Sequence, residues 1–218
     1  MLQYPSILGV KKMPIGNPCV AFYKYDGSNL RFEWSPKKGW NKFGSRTQMI
    51  DIKHEVFGQA IEMFQDEMGQ IIVERIKNAF PKQFKTMDRI TAFAEFYGEN
   101  SFAGSHVQEE EKHLKLFDIF LFKTGFLLPD QFISTFGDWD KSAEVVYKGK
   151  LNQDFITQVR NNNLDSGRIL NEGVICKGMC DKVLAKKFGS VWMTKVKTLE
   201  YLDKLKNRYA DKWEDYAE

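Results

Sequence analysis

Alternation of apolar and polar side chains dominates the first fifty residues. Residues 19–25 are rich in β-branched and aromatic side chains, and residues 30–35 alternate between apolar and polar ones, so both segments are predicted strands. A turn-forming Asp-Gly-Ser-Asn sequence separates them, and a second turn at residues 38–41 precedes a third short strand that ends near Arg46. The chain is therefore predicted to begin with antiparallel strands.

The pattern changes to helical spacing after this region. Apolar residues recur at steps of three and four through residues 52–80, which predicts two consecutive amphipathic helices. Apolar runs predict further strands. Further helices are predicted by Pro129, which suits a first helical position, and by a charged tail in which apolar residues recur at helical spacing. These are strands at 90–97, 114–122, 173–177, 183–188 and 191–196, and helices after Pro129, at 151–163 and at 198–218.

This order of elements predicts an α+β fold class. Strands dominate the first fifty residues and the last third of the core, and helices fill the gaps, which indicates antiparallel β-sheets flanked by helices rather than an alternating βαβ series. No Pro/Gly-rich linker divides the chain. Residues 1–218 are therefore predicted to form a single domain, in which residues 198–218 are a C-terminal helix.

The composition is that of a soluble globular protein. Of 218 residues, 43% are hydrophobic and 28% are charged. No stretch approaches the roughly 20 apolar residues that span a bilayer, and the N-terminus lacks the apolar run of a secretory signal. The three cysteines, Cys19, Cys176 and Cys180, match no disulfide framework and have no nearby histidine to complete a zinc site. We therefore expect no membrane partner and a cytoplasmic location.

Positive charge is concentrated in two segments, although the net charge is only +3. Residues 1–50 hold 8 basic and 2 acidic residues, and residues 176–197 hold 6 basic and 1 acidic residue. If the fold brings the two segments together, they form a site for a polyanion.

One lysine stands at the end of an apolar predicted strand. Residues 23–29 read Tyr-Lys-Tyr-Asp-Gly-Ser-Asn, and strand alternation directs Lys24 to one face and Tyr23 and Tyr25 to the other. A lysine held there among basic neighbours could have a lowered pKa and act as a nucleophile. Alone, a K-x-D-G sequence is more often a surface hairpin, so the assignment depends on the rest of the chain.

Further features follow Lys24 in a specific order and spacing. One of them is a lone carboxylate in an apolar strand, where an unpaired charge is costly. The features are Gly44-Ser45-Arg46, Glu95, Phe117-Asp118-Ile119, and Glu172-Gly173-Val174-Ile175 followed by Lys195-Val196-Lys197.

Together with K-x-D-G, these motifs resemble the covalent nucleotidyltransferase superfamily, which comprises ATP-dependent RNA ligases, DNA ligases and mRNA capping enzymes. The resemblance spans residues 24–197. Asn29 resembles the RNA ligase branch, because DNA ligases and capping enzymes usually have arginine at that position. Asp26 departs from the nick-sealing phage RNA ligases, which often have histidine there.

The resemblance implies an ATP-grasp-like ligase domain and an ATP-dependent RNA ligase activity. Such an enzyme seals 5′-phosphate and 3′-hydroxyl RNA ends through a covalent lysyl-AMP and an adenylylated 5′ end. Only 21 residues follow Lys197, so we expect a minimal adenylyltransferase domain without an OB-fold, a fragment, or a chain that needs a partner. A nicked RNA duplex is the expected substrate, and a monomer encoded by a phage or virus and acting in the host cytoplasm is the expected form.

The resemblance also implies the roles of the catalytic residues. Lys24 would attack the α-phosphorus of ATP and displace pyrophosphate. Lys195 and Lys197, which share one face of their strand, would neutralise the α-phosphate in the transition state. Glu172 would bind Mg²⁺ or Mn²⁺.

Five residues are implied to bind the nucleotide around that centre. Glu95 would accept hydrogen bonds from ribose hydroxyls, Phe117 would stack on adenine, and Arg46 would contact a phosphate. Asn29 would hold the turn with Asp26 and also touch a phosphate or ribose. Tyr23, beside the nucleophile, completes the set.

Simpler interpretations of the same residues remain open. Lys195 and Lys197 could belong to a solvated edge strand. Phe117 could be an aromatic residue of the core, and Glu95 could be one partner of a buried ion pair. The alternative enzymes are a DNA ligase and a capping guanylyltransferase, which Asn29 and the absent OB-fold disfavour. The alternative outside the enzyme class is a non-catalytic module that binds nucleic-acid ends.

Overall fold

Two β-sheets with flanking helices make up the structure. The computed structural model describes residues 1–13, 15–179 and 191–213. Its strands are β1 Leu8–Gly9, β2 Pro18–Lys24, β3 Ser28–Ser35, β4 Gly39–Ser45, β5 Met49–Ile50, β6 Ile90–Gly98, β7 Lys112–Leu121, β8 Gly125–Phe126, β9 Val145–Lys150, β10 Gly173–Met179 and β11 Val191–Lys197. Its α-helices are α1 Gly58–Met63, α2 Gly69–Ala79, α3 Pro81–Phe84, α4 Pro129–Phe136, α5 Gln153–Arg160 and α6 Leu199–Tyr209.

The chain divides into two compact units, each with its own sheet. The first unit comprises Met1–Pro5 and Gly27–Ser142, and the second comprises Ser6–Asp26 and Ala143–Glu218. The single domain expected over residues 1–218 stays a prediction.

The first unit contains an antiparallel six-stranded sheet in the order β5-β4-β3-β6-β7-β8. The fully buried Phe32 of β3 stacks on Phe64 at 3.8 Å between ring centroids. Phe64 begins a π-helical turn, Phe64–Met68, that joins α1 to α2. The Trp40 indole donates to the Gly69 carbonyl at 2.8 Å, which ties the start of α2 to the sheet. The apolar face of the helices therefore packs on β3 and β4.

The second unit contains a five-stranded sheet in the order β1-β11-β10-β2-β9. The short β1 runs parallel to β11, and the other neighbours are antiparallel. Trp192 and Val174 pack with Phe155 and Val159 of α5 in one buried cluster. The Asn152 side chain caps α5 by accepting from the Phe155 N–H at 2.8 Å. Burial of one face of α5 thus covers one side of this sheet.

The predicted α+β class with antiparallel sheets flanked by helices is confirmed. Within the described residues, the predicted C-terminal helix corresponds to α6, which ends at Tyr209 and is followed by a 3₁₀ turn, Ala210–Lys212. Residues 214–218 of that prediction lie outside the described residues. The predicted strand at 183–188 lies outside the described residues. No helix in the described part of the chain is long and apolar enough to cross a membrane.

Candidate active site

Three motifs that are far apart in sequence meet at one end of three neighbouring central strands of the second unit's sheet. Lys24 is the last residue of β2, and Lys197 is the last residue of β11. Both are paired with Gly173, the first residue of β10, which lies between those two strands. The antiparallel register therefore brings the K-x-D-G, E-G-V and K-x-K sequences together.

The Glu172 carboxylate lies between two lysine amines. Lys24 Nζ is 2.5 Å from Glu172 Oε2, and Lys197 Nζ is 3.0 Å from Oε1. The side chains of Glu172 and Lys197 are 3% and 7% exposed, whereas that of Lys24 is 21% exposed. The carboxylate is thus charge-paired on both sides, as burial requires, and Lys24 is the member of the group that solvent reaches best.

The environment of Lys197 disfavours its charged form. Burial lowers the pKa of Lys197 below its ordinary value, and the nearby charge of Lys24 lowers it further, while Glu172 opposes both effects. The amine also lies 4.9 Å from the centroid of the Tyr201 ring. A cation held in this way is oriented before any anionic ligand arrives, and it can neutralise charge at a phosphate.

Gly173 allows the close approach of the β10 start to β11. Its φ is +150°, in a region that L side chains rarely adopt. A Cβ at this position would lie 2.1 Å from the Val196 carbonyl oxygen and 2.8 Å from the Lys197 Cα. Only glycine therefore fits at the first position of β10. This gives a steric reason for the glycine that follows Glu172 in the sequence.

Tyr23 supports the segment that carries Glu172. Its hydroxyl accepts a hydrogen bond from the Asn171 N–H at 3.0 Å, and the Arg168 guanidinium lies 5.5 Å from its ring centroid. Arg168 in turn pairs with Glu144. Burial raises the pKa of Tyr23, so the hydroxyl stays neutral. No sequence motif pointed to Asn171, Arg168 or Glu144, because their roles depend on contacts between segments distant in sequence.

Lys195 lies two residues before Lys197 on β11, paired with Ile175 of β10 and Gly9 of β1. Strand alternation places its side chain on the same face of the sheet as that of Lys197. The residue is half-buried. Because both lysines lie within β11, their side chains share one face of the sheet, as the sequence predicted.

Asn29 lies inside β3 of the first unit, opposite Glu95 of β6. The expectation that Asn29 helps to hold the turn stays a prediction; the residue is the second of β3, which begins at Ser28 directly after Asp26-Gly27. Asn29 Oδ1 is buried and has no hydrogen-bond partner among the described residues. A buried acceptor without a partner is costly, so a hydrogen bond donated to this atom by a ligand or by water would be stabilising.

Phe117 and Arg46 also belong to the first unit. Phe117 is half-buried on β7, and its ring makes a T-shaped contact with that of Tyr4 at 5.0 Å between centroids. The Tyr4 hydroxyl donates to Asp118 Oδ2 at 2.8 Å. Sequence analysis did not single out Tyr4, whose partner is 114 positions away. Arg46 is exposed in the connection between β4 and β5.

Comparison with known proteins gives structural matches only. No protein-family model and no curated protein matches the chain. A Naegleria gruberi RNA ligase variant solved with ATP and Mn superposes with a TM-score of 0.64 at 16% identity, over 95% of this chain and 59% of that chain. A second variant with ATP and Mn gives 0.63 at 15% identity, over 93% and 58%, and an apo variant gives 0.62 at 16%, over 95% and 58%. The chain has the fold of these RNA ligase structures.

The predicted resemblance is therefore confirmed for the fold. The chain spans less than two thirds of the length of the ligase chains that it matches. The motifs that predicted this fold include Lys24, Glu172 and Lys197, the residues that the second unit brings together.

The donor set at the site suits a metal ion that arrives with a substrate. In residues 1–13, 15–179 and 191–213, no group of three or more His, Cys, Asp and Glu side chains is arranged to hold a metal. At the site, the two oxygens of the Glu172 carboxylate accept from Lys24 and Lys197. Mg²⁺ is commonly held by one or two carboxylates together with substrate phosphates. Glu172 therefore fits a divalent cation that is bound jointly with a nucleotide.

Proposed function

We propose that this chain is an ATP-dependent RNA ligase that works through a covalent lysyl-AMP. The observation that carries the proposal is the group formed by Lys24, Glu172 and Lys197: a partly exposed amine held by a buried carboxylate beside a second, buried amine. A fold shared with RNA ligase structures supports it.

In the first step, neutral Lys24 Nζ attacks the α-phosphorus of ATP. The new bond is N–P, the bond from the α-phosphorus to the bridging oxygen breaks, and pyrophosphate leaves. The amine must first lose a proton to solvent, which reaches Lys24 better than the rest of the group, while the ionised Glu172 Oε2 holds the amine at 2.5 Å. Because Glu172 fixes the direction of the amine before ATP binds, attack needs little reorganisation.

Lys197 and Lys195 neutralise the charge of the phosphate and take no part in making or breaking bonds. Phosphoryl transfer depends mainly on positioning and on neutralisation of phosphate oxygens. Lys197 is held in place by Glu172 Oε1 at 3.0 Å, and Lys195 shares its face of β11. A divalent cation at Glu172, Mg²⁺ or Mn²⁺, would add Lewis-acid neutralisation of the same oxygens.

In the first unit, Asn29 Oδ1 is the buried acceptor that awaits a donor, and we assign it to the nucleotide or the RNA. Glu95, Phe117 and Arg46 are assigned to ribose, adenine and phosphate.

Two later steps complete the reaction. A 5′-phosphate oxygen of RNA attacks the phosphorus of lysyl-AMP and frees Lys24, and a 3′-hydroxyl then attacks the adenylylated end and releases AMP.

The test is the intact mass of the purified protein after incubation with ATP and Mg²⁺. We expect a gain equal to one AMP, and no gain in Lys24→Ala. Lys148→Ala is the matched control, because Lys148 is an exposed lysine on β9 of the same unit. Full labelling of Lys24→Ala would overturn the proposal.

Substrate choice needs a second measurement. Nicked duplex RNA and nicked duplex DNA, each with ATP or GTP, separate the proposed enzyme from a DNA ligase or a capping guanylyltransferase. Sealing of RNA with ATP is expected. Binding of nicked duplex without any lysine adduct would identify a non-catalytic module instead.

A further inference from the structure

One end of the first unit's sheet is strongly basic. Three segments reach this end: residues 36–39, residues 81–89 and residues 122–124. Together they hold six basic residues and one acidic residue, a net charge of +5. The six, called here the basic edge, are Lys37, Lys38, Lys82, Lys85, Arg89 and Lys123.

Strand register places the three segments side by side. Trp34, at the end of β3, is opposite Ile90 of β6, and Ile90 is opposite Leu121 of β7. The β3–β4 turn, the chain entering β6 and the chain leaving β7 therefore lie at the same end of the sheet. The ring of Phe84 in α3 packs on Trp34 at 5.5 Å between centroids, which brings α3 to that end too.

Most of the positive charge at the basic edge is not neutralised. Lys37, Lys38, Lys82 and Lys85 are exposed and have no ion-pair partner in the described part of the chain. The one acidic residue of the three segments, Asp88, pairs with Lys123 at 3.1 Å. An exposed cluster of this kind is the electrostatic signature of a polyanion site.

Partly exposed aromatic rings lie among these charges. The Arg89 guanidinium is 4.1 Å from the Phe122 ring centroid, and Lys123 Nζ is 5.5 Å from it. Trp34 and Phe84 form the neighbouring ring pair. Basic side chains spread along one end of a sheet, beside partly exposed rings, suit the extended phosphate backbone of a nucleic acid better than they suit a small anion.

We propose that the basic edge binds the phosphate backbone of the RNA substrate, at the end of the first unit's sheet opposite to Asn29. The choice of RNA among polyanions rests on the proposed function. Asn29, assigned above to the nucleotide or RNA, lies at the opposite end of β3, six residues from Ser35. At roughly 3.3 Å per residue this distance is about 20 Å. An RNA that contacts Asn29 must therefore extend over about this distance to reach the basic edge as well.

The test compares two four-lysine variants with equal charge change. One replaces Lys37, Lys38, Lys82 and Lys85 by serine. The control replaces exposed lysines elsewhere, namely Lys53, Lys148, Lys150 and Lys212, by serine. Fluorescence anisotropy measures binding of nicked duplex RNA of about 8 and about 24 base pairs over a salt series, because each lost phosphate contact lowers the salt slope by about 0.9 or less.

We expect the basic-edge variant to bind the long duplex at least about tenfold more weakly at low salt and with a smaller salt slope, and the short duplex almost normally. The control variant should stay close to wild type for both. Equal losses in the two variants, or equal losses for both lengths, would overturn the proposal. Polyglutamate that competes as well as the long RNA would overturn the choice of RNA.

The mass of the lysyl-AMP adduct separates the two proposals. The basic-edge variant should take up AMP as wild type does, because none of its four lysines belongs to the Lys24 site. Absence of adduct in wild type with length-dependent RNA binding intact would overturn the ligase and leave the basic edge standing. A normal adduct in wild type, together with RNA binding that is unchanged by replacement of the four lysines, would overturn the basic edge and leave the ligase standing.

Discussion

Lys24 Nζ donates to Glu172 Oε2 at 2.5 Å, across 148 positions of sequence. The contact exists because the end of β2 pairs with the start of β10. A carboxylate that is almost fully buried thus depends on a lysine that is partly exposed. Breaking such a pair leaves a buried charge with one partner fewer, which is costly.

A double-mutant cycle on Lys24 and Glu172 measures this dependence without any catalytic assay. From urea unfolding of Lys24→Ala, Glu172→Ala and the double variant, we expect a coupling free energy of about 1–3 kcal/mol. The matched control is the exposed pair Lys204 and Glu200 on α6, at 2.8 Å, for which about 0.5 kcal/mol or less is expected. Equal coupling in the two pairs would mean that burial does not strengthen the Glu172 contact.

The lowered pKa of Lys197 predicts a pH dependence of stability. Between that lowered pKa and the ordinary value of 10.5, the unfolded chain holds a proton that the folded lysine has lost. The contribution of Lys197 to the free energy of unfolding therefore rises with pH in this window. In Lys197→Met the contribution is absent, so the wild-type free energy of unfolding should increase relative to that of the variant as pH rises.

Chemical denaturation at a series of alkaline pH values checks this prediction. Lys204→Met is the control, since Lys204 is exposed on α6, and its free energy of unfolding should run parallel to that of wild type. Parallel behaviour of Lys197→Met as well would contradict the effect of burial on Lys197.

Local pattern was enough to predict most strands but not their neighbours. The strands that end at Lys24 and Lys197 are visible as apolar runs, yet nothing within either run says that β10 lies between them. Only the order of motifs, through the resemblance, indicated that Lys24, Glu172 and Lys197 meet. Strand β9 was missed because Val145–Lys150 contains a glycine and two exposed lysines, which weaken the strand signal.

Contacts made by single side chains were beyond prediction. Tyr4 lies in a short segment without periodicity, and its role follows from a hydrogen bond to Asp118 and from packing on Phe117. The strand predicted at 30–35 begins earlier in the structure, because Ser28 and Asn29 already pair with β6.

Gly173→Ala should destabilise the second unit and impair the proposed adenylylation together. The new Cβ would clash with the Val196 carbonyl and require a φ of +150°, with an expected cost of about 2–4 kcal/mol. Gly167→Ala is the control, because Gly167 has a φ of +70° but open space around it. It should cost about 1 kcal/mol from backbone strain alone.

Thermal unfolding and the rate of AMP uptake measure the two effects of Gly173→Ala. Uptake should fall because Glu172 is adjacent and must move with the backbone. Equal stability of the two alanine variants would show that the close approach of β10 to β11 is not required.

Tyr23→Phe should slow AMP uptake without preventing it. The variant keeps the ring beside Arg168 but loses the hydroxyl that accepts from the Asn171 N–H, and Asn171 directly precedes Glu172. One lost hydrogen bond of about 1 kcal/mol corresponds to a rate about fivefold lower. Tyr147→Phe removes a hydroxyl that donates to the Lys150 carbonyl on β9 and should leave the rate unchanged.

Because Tyr23 acts through Glu172, the slowing should be absent when Tyr23→Phe is added to Glu172→Gln, measured at long reaction times. Additive slowing in that double variant would instead assign Tyr23 a contact with the nucleotide itself.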